Sequence, residues 1–221
     1  MKMIDLTQTM AAEMPVFPGT PQPVIAPACV MERDGFRETS LALWSHTGTH
    51  IDAPAHILAD GKYLDELPAE SFFGLAAIVD ISAYAGGSVP PEALRQEEAR
   101  LKYAQFAVLK SGWERYWGEE AYYHGFPVLA PEAAAYLAAL PGLRGVAVDM
   151  LSVDPVADES FAIHRLLLGA GKLIVENLCH LDALTGDVFL LSVLPLKYGR
   201  ADGSPVRAVG FEAPAGIYYP K

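Results

Sequence analysis

The chain has 221 residues, of which 52% are hydrophobic and 19% are charged, so we expect residues 1–221 to form one globular domain and not a disordered chain. The formal net charge is −11, with only 16 Lys and Arg, which argues against a nucleic acid or an anionic membrane surface as a partner. The chain has only two cysteines and no apolar run near the ~18 residues that span a bilayer. Asp5 and Gln8 interrupt the apolar stretch that a signal peptide would need near the N-terminus. These features predict a reduced, cytoplasmic protein.

The predicted elements change character along the chain. The stretch from Met14 to Pro21 is rich in proline, and because each proline fixes φ and disfavours helix in its predecessor, it should be extended or turning. Apolar runs rich in β-branched residues predict buried strands at Ala76–Ile81, Phe106–Leu109, Gly145–Val148, Lys172–Val175 and Val188–Leu194. Helical patterns lie between them, at Glu92–Lys102 after Pro91, Glu132–Leu140 after Pro131, and Glu159–Leu168 before Gly169. Alternating strands and helices indicate an α/β fold with additional β-structure in the first third, and leave open which strands are parallel.

The segment from residue 46 to residue 56 has the clearest chemical pattern. His46, His50, Asp52 and His56 all stand at even positions, and alternate side chains of an extended chain share one face. Helical spacing also fits His46 with His50 and Asp52 with His56, but the intervening Gly, Thr and Pro residues disfavour a continuous helix. We therefore favour an extended segment, with a helical turn that starts near Pro54.

These side chains are suited to a divalent metal. Imidazole nitrogens and carboxylate oxygens bind zinc, manganese and iron, and the lack of a nearby cysteine separates this pattern from a structural zinc finger. His46, His50 and Asp52 are the three proposed ligands, and the second oxygen of Asp52 can bridge a second ion. A single histidine is usually a packing or turn residue, but three of the chain's six histidines within this short segment, beside an aspartate, favour metal binding.

A second group of candidates lies more than a hundred residues further along the chain. His164 falls in the third predicted helix, and Glu176 follows the apolar strand that ends at Val175. A carboxylate at the end of a buried strand is costly unless it is paired or bound to a metal, and strand ends are a usual place for sites in α/β folds. His164 and Glu176 are therefore candidates for a second metal site, whereas His124 and His180 are typical of surface or packing positions.

The sequence Ser45-His46-Thr47-Gly48-Thr49-His50-Ile51-Asp52-Ala53-Pro54-Ala55-His56 resembles the signature of the cyclase family, which includes bacterial kynurenine formamidases (arylformamidases) and isatin hydrolases. Shorter pieces extend the resemblance in order along nearly the whole chain, at Ile4–Thr7, Pro15–Pro21, Leu109–Trp113, Val148–Asp154, Val175–Leu178, Leu194–Leu196 and Ser204–Ala208. The resemblance implies a swivelling β/β/α fold and a homodimer or higher homo-oligomer.

The resemblance also implies roles for individual residues. The positions of His46, His50 and Asp52 would hold one metal, those of Asp52, His164 and Glu176 would complete a second site with the two carboxylates bridging, and His56 would be the catalytic acid/base. Zinc is the first expectation for one or two ions, and manganese is the alternative.

The implied function is metal-dependent hydrolysis of a C–N bond, with N-formylkynurenine giving kynurenine and formate as the first expectation. The alternatives are a mononuclear manganese hydrolase that opens isatin or another lactam, and a cyclase of secondary metabolism. A metal- or ligand-binding protein without turnover is a further alternative, but it would not need an acid/base such as His56.

Two aromatic residues are candidates for contact with the substrate. Phe17 stands where formamidases of this family have Trp, and phenylalanine keeps an aromatic face but lacks the larger ring and its N–H donor. Trp44 is the second candidate, and core packing is the alternative for both residues. We therefore expect a small amide or lactam as substrate and leave its identity open.

Overall fold

The computed structural model describes residues 2–212. Its strands are β1 (Lys2–Asp5), β2 (Val24–Cys29), β3 (Glu38–Ala42), β4 (His50–Asp52), β5 (Phe73–Asp80), β6 (Ser88–Val89), β7 (Phe106–Lys110), β8 (Val128–Leu129), β9 (Gly145–Val148), β10 (Leu173–Glu176), β11 (Val188–Ser192), β12 (Gly203–Pro205) and β13 (Val209–Glu212). Its α-helices are α1 (Met31–Asp34), α2 (Pro91–Arg95), α3 (Glu98–Leu101), α4 (Pro131–Ala139) and α5 (Ala162–Gly169).

Nine of these strands form one strongly curled sheet in the order β1-β13-β11-β5-β7-β9-β10-β4-β12. The neighbours β5, β7, β9 and β10 run parallel, and the strands on either side of this group are antiparallel to their neighbours. The fold is therefore mixed α/β, as the alternation of apolar runs and helical patterns predicts.

The central strands of the sheet are buried on both faces. In β7, Ala107 and Leu109 belong to the core that also contains residues of α2 to α5, whereas Phe106 and Val108 belong to the core on the other face. Burial on both faces explains why β7 has a continuous apolar sequence and not an alternating one.

The five strands predicted from apolar runs are present as β5, β7, β9, β10 and β11, and differ from the predictions only at their ends. The helix predicted after Pro131 is also present, as α4. The prediction of one continuous helix over Glu92–Lys102 is wrong, because the chain leaves the helical conformation at Glu97 (φ −101°, ψ 9°) and forms the separate helices α2 and α3.

The third predicted helix begins later than its sequence pattern indicates. It starts at Ala162 and not at Glu159, because Phe161 adopts a left-handed conformation with φ of 51°. The carboxylate of Asp154 accepts hydrogen bonds from the backbone N–H groups of Ile163 and His164, at 2.8 and 3.0 Å, and so caps the shorter helix.

The Pro-rich first third contributes a separate two-stranded antiparallel sheet, in which β2 pairs with β3. The additional β-structure predicted for this part is therefore present, and all side chains of β3 are exposed. Within residues 2–212, none of the helices is long and apolar enough to cross a membrane.

The short strand β4 connects the conspicuous histidine segment to distant parts of the chain. It lies between β10 and β12 and runs antiparallel to both, with His50 opposite Glu176 and Asp52 opposite Gly203. The sheet register therefore brings the ends of β10 and β12 beside the candidate ligands of β4.

Candidate metal centre

The backbone between residues 46 and 56 places four polar side chains around one point. His50 and Asp52 are two residues apart in β4 and share a face, as the alternation of an extended chain requires. His46 lies in the turn before this strand, and His56 ends a short 3₁₀ turn that begins at Pro54. The predicted extended segment and the turn after it are both present.

Helix α5 and strand β10 bring in the two distant candidates. His164 and Glu176 are both buried, and Nε2 of His164 lies 3.6 Å from Oδ2 of Asp52 and 3.5 Å from Oε1 of Glu176. Nε2 of His50 lies 3.3 Å from Oδ1 of Asp52, and Nδ1 of His46 lies 2.6 Å from the same oxygen. The structure therefore brings together all five residues that the sequence marks as candidate ligands.

Within residues 2–212, three sets of donor atoms are compact enough to surround an ion, with all ligand atoms of a set within 4.8 Å of one another. The sets are His46, His50 and Asp52; Asp52, His164 and Glu176; and His46, His56 and Asp202. The first two share Asp52, whose two carboxylate oxygens could bind two neighbouring ions. The third contains a residue that the sequence did not mark.

The contacts of Asp52 fit a bound cation. Its side chain is 1% exposed, and Oδ2 has no hydrogen-bond partner within the described part of the chain. A buried carboxylate oxygen without a partner is costly, and a cation between Asp52, His164 and Glu176 would remove that cost.

The second ring nitrogens of two imidazoles also fit metal binding. Nδ1 of His50 lies 2.7 Å from the backbone oxygen of Gly48, and Nδ1 of His164 lies 2.7 Å from Oδ2 of Asp154. Because these oxygens only accept hydrogen bonds, each Nδ1 carries the hydrogen, and in the neutral ring Nε2 keeps the lone pair that binds a metal. Such outer contacts orient ligand histidines in many metal sites.

The protein's own charges strongly perturb the two imidazoles at the ends of the cluster. Burial opposes the charged form of His46, but Asp52 and Asp202 outweigh burial and raise the pKa of His46 to about 10. Burial also opposes the charged form of His164, but Asp154 and Asp52 raise its pKa to about 10. Both rings therefore interact strongly with negative charge.

The pKa values of the two central carboxylates, Asp52 and Glu176, shift in opposite directions. Burial would raise the pKa of Asp52, but the charges of His46 and His50 outweigh it and hold that pKa well below its usual range. Burial raises the pKa of Glu176, and the negative charge of Asp52 adds to this effect. Two buried carboxylates side by side repel each other when both are charged, and a bound divalent cation would compensate their charge.

His56 differs from the other histidines of the segment because it stands at the edge of the cluster. Its ring centroid lies 3.8 Å from that of His46, and its side chain is 29% exposed. Burial lowers its pKa to about 4; Asp52 opposes this effect, and the charges of His46 and His164 add to it. A neutral imidazole at this edge can accept a proton.

A cavity of about 260 Å³ opens over the cluster. The donor residues line it together with apolar residues, which include Val16, Phe17, Trp44, Leu151 and Phe161. Trp44 is 59% exposed, so it is not a core residue. Phe17 also packs against the core that contains residues of α2 to α5. His124 and His180 do not line this cavity.

Sequence reasoning missed three polar residues around the cluster: Asp154, Asn177 and Asp202. Asp154 contacts His164, and the Asn177 amide donates to the Gly48 oxygen at 2.9 Å and accepts from the Tyr122 hydroxyl at 2.8 Å. Asp154 and Asn177 stand within pieces that resemble the cyclase family, which is the one available signal for them. Asp202 stands outside those pieces, and its contacts depend on the pairing of distant strands.

The chain is similar to curated proteins along nearly its whole length. The kynurenine formamidase of Bacillus cytotoxicus is 33% identical over 207 residues, which cover 93% of this chain and 95% of the relative. The kynurenine formamidase of Salinibacter ruber is 32% identical over 216 residues, which cover 97% and 99%.

Solved structures share the fold. Isatin hydrolase A from Labrenzia aggregata, bound to benzyl benzoate, matches with a TM-score of 0.83 and 25% identity, covering 95% of this chain and 93% of that one. A structure titled "potential metal-dependent hydrolase with cyclase activity" matches with a TM-score of 0.79 and 26% identity, covering 96% and 99%. The family model "Putative cyclase" matches residues 4–155, more than half of the chain. With this match and relatives above 30% identity over almost all of its length, the chain belongs to the cyclase family.

Proposed function

We propose that this protein is a metal-dependent hydrolase that cleaves the C–N bond of a small aromatic amide, and that it acts as an arylformamidase on N-formylkynurenine, giving kynurenine and formate. The observation that carries this proposal is the buried donor cluster, in which Asp52 belongs to two ligand sets beside a cavity that aromatic residues help to line. Relatives named kynurenine formamidase, at 33% and 32% identity, support the substrate class. The swivelling β/β/α description and the single domain over residues 1–221 remain predictions.

In this proposal, His46, His50 and Asp52 hold one ion, and Asp52, His164 and Glu176 hold a second. Three imidazoles and two carboxylates suit zinc best, with manganese as the alternative. When bound, such a metal would act as a Lewis acid and lower the pKa of a bound water toward neutrality.

The proposed role of His56 is proton transfer. Its ring lies beside His46 of the ligand set and lines the cavity in which we place the substrate. The neutral imidazole accepts the proton of the water and then donates it to the nitrogen, so that the amide and one water become an amine and a carboxylic acid. Phe17 and Trp44 offer aromatic faces to the substrate ring.

A lactam hydrolase of the isatin type is the second candidate. The observation that favours it is the match to isatin hydrolase A, with a TM-score of 0.83. The chemistry of the C–N cleavage is the same, but the product of a lactam stays in one piece. This candidate needs only one ion, manganese, at His46, His50 and Asp52.

A metal-by-substrate screen separates the two candidates. Chelator-treated protein is reconstituted with zinc, manganese or buffer alone, and each sample is assayed with N-formylkynurenine, a simple aryl formamide and isatin, while elemental analysis counts the ions. Formamidase activity with two ions per chain supports the first candidate, and isatin opening with one manganese supports the second. Turnover that does not depend on metal contradicts both. Light scattering on the same samples tests the homodimer or higher assembly that the family resemblance implies.

A further inference from the structure

Asp202 lies between two imidazoles that have different proposed roles. Its Oδ2 is 3.1 Å from Nε2 of His46 and 3.9 Å from Nδ1 of His56. The hydroxyl of Ser45 donates a hydrogen bond to the same oxygen at 3.4 Å. The backbone oxygen of Asp202 accepts from the N–H of Ala53 at 2.9 Å, directly before β12. The carboxylate is therefore held in place although its side chain is 41% exposed.

The two nitrogens of His46 face different partners. Nδ1 lies 2.6 Å from Oδ1 of Asp52, on the side of the first ligand set, and Nε2 faces Asp202 on the other side. The acceptors Gly48 and Asp154 occupy the second nitrogens of the other two candidate ligand histidines. Asp202 thus supplies for His46 the outer acceptor that the other two rings also have.

The packing around His46 leaves its ring little room to turn. A Cβ atom at Gly203 would lie 2.4 Å from Cε1 of His46, so the ring rests directly on the backbone of β12. The ring of His56 lies near it at a centroid distance of 3.8 Å, with an interplanar angle of 34°. In this confined position, a hydrogen on Nε2 faces Asp202, and Nδ1 faces the Asp52 oxygen that belongs to the first ligand set.

We propose that Asp202 is a positioning residue, which accepts the Nε2–H of His46 and so leaves Nδ1 free to bind a metal. The inference rests on the proposed function, because it takes His46 as a ligand. Carboxylate partners of this kind fix the tautomer and orientation of ligand histidines, and their removal typically weakens metal binding by about 10- to 100-fold.

The alternative is that Asp202 is itself a ligand, with His46 and His56. Exposure favours the positioning role, because the side chains of Asp52 and Glu176 are 1% and 7% exposed, whereas that of Asp202 is 41% exposed. A ligand and a positioning residue also differ in a measurable way, since only loss of a ligand removes a binding site at saturation.

The test compares three variants with the unmodified protein in binding experiments with metal alone. Asp202→Ala removes the acceptor, Asp202→Asn keeps an acceptor oxygen without the charge, and Asp60→Asn is a control that removes one negative charge at an exposed position. Each chelator-treated protein is titrated with zinc by calorimetry, and its cobalt(II) absorption spectrum is recorded.

We expect Asp202→Ala to bind zinc about 10- to 100-fold more weakly, with a changed cobalt spectrum and an unchanged number of ions at saturation. Asp202→Asn should recover most of the affinity and remain about 3- to 10-fold weaker than Asp60→Asn, because the charge-assisted hydrogen bond is lost. Asp60→Asn should match the unmodified protein.

Equal zinc affinity and equal cobalt spectra in Asp202→Ala and the unmodified protein would overturn the proposal. Loss of a whole equivalent of metal at saturation would also overturn it and make Asp202 a ligand. If circular dichroism shows that Asp202→Ala is unfolded, Asp202→Asn decides, and an affinity equal to that of Asp60→Asn would contradict the positioning role. If the unmodified protein binds neither zinc nor manganese, the proposed function itself is refuted, so the two failures are distinguishable.

Discussion

His50 and Glu176 stand opposite each other on the antiparallel strands β4 and β10, and Nε2 of the histidine lies 3.5 Å from Oε2 of the glutamate. This pairing joins a segment near the start of the chain to a strand end more than a hundred residues later. Asp52, on the same face of β4, thereby has imidazoles and a second carboxylate around it. The whole candidate centre depends on this register.

The first prediction concerns Asp52, which both central ligand sets share. Asp52→Asn replaces a charged oxygen by an amide nitrogen, so we expect elemental analysis to show loss of at least one ion per chain. Turnover should fall by about 100-fold or more, as for removal of one key electrostatic group. Asp60→Asn is the matched control. A fully metallated and active Asp52→Asn protein would refute the shared role of Asp52.

The second prediction separates His56 from the ligands. His56→Ala should keep the metal content of the unmodified protein and lose about 10²- to 10⁴-fold in kcat, because proton transfer is removed while both central ligand sets remain. Steady-state kinetics and elemental analysis on one preparation check this, with the exposed His124→Ala as control. If His56→Ala loses metal in parallel with activity, His56 is a ligand.

The third prediction concerns stability. A ligand that binds only the folded state stabilises it by about 2.7 kcal/mol at a concentration 100-fold above Kd. Zinc should therefore raise the thermal unfolding midpoint of chelator-treated protein, since it compensates the buried charges of Asp52 and Glu176. The rise should be smaller in Asp52→Asn. An unfolding midpoint that zinc leaves unchanged would count against the buried metal site.

The fourth prediction concerns Phe17, one of the aromatic residues that line the cavity. Phe17→Ala should raise KM for N-formylkynurenine by about 10-fold with little change in kcat, because it removes apolar contact with the substrate ring and leaves the donors in place. Phe17→Trp should lower KM. The exposed Phe36→Ala serves as control, and thermal unfolding checks that the core has not changed. A KM insensitive to residue 17 would exclude this contact.

The local half of the site is readable from sequence because its residues are neighbours. His50 and Asp52 share a face of β4 by simple alternation, and Pro54 opens the turn that ends at His56. No long-range information is needed for these positions. His164 and Glu176 are marked only by residue type, predicted element and family resemblance, and their closeness to Asp52 follows from strand pairing.

The features that sequence reasoning missed depend on contacts between distant segments. Asp202 becomes part of the site only because β12 pairs with β4. Asp154 caps α5, which begins later than its apolar sequence pattern indicates. The break between helices α2 and α3 at Glu97 likewise has no glycine or proline that would predict it. Single polar residues in loops have many alternative roles, and only the tertiary structure selects one.

The central claim is that this buried cluster uses a divalent metal to hydrolyse a C–N bond. The most direct test is the rate of N-formylkynurenine and aryl formamide hydrolysis by chelator-treated protein, measured before and after zinc or manganese is restored, with the metal content verified at each step. The proposed function predicts that hydrolysis is lost with the metal and returns with one or two ions per chain. Hydrolysis at the full rate by protein verified to be free of metal would contradict it.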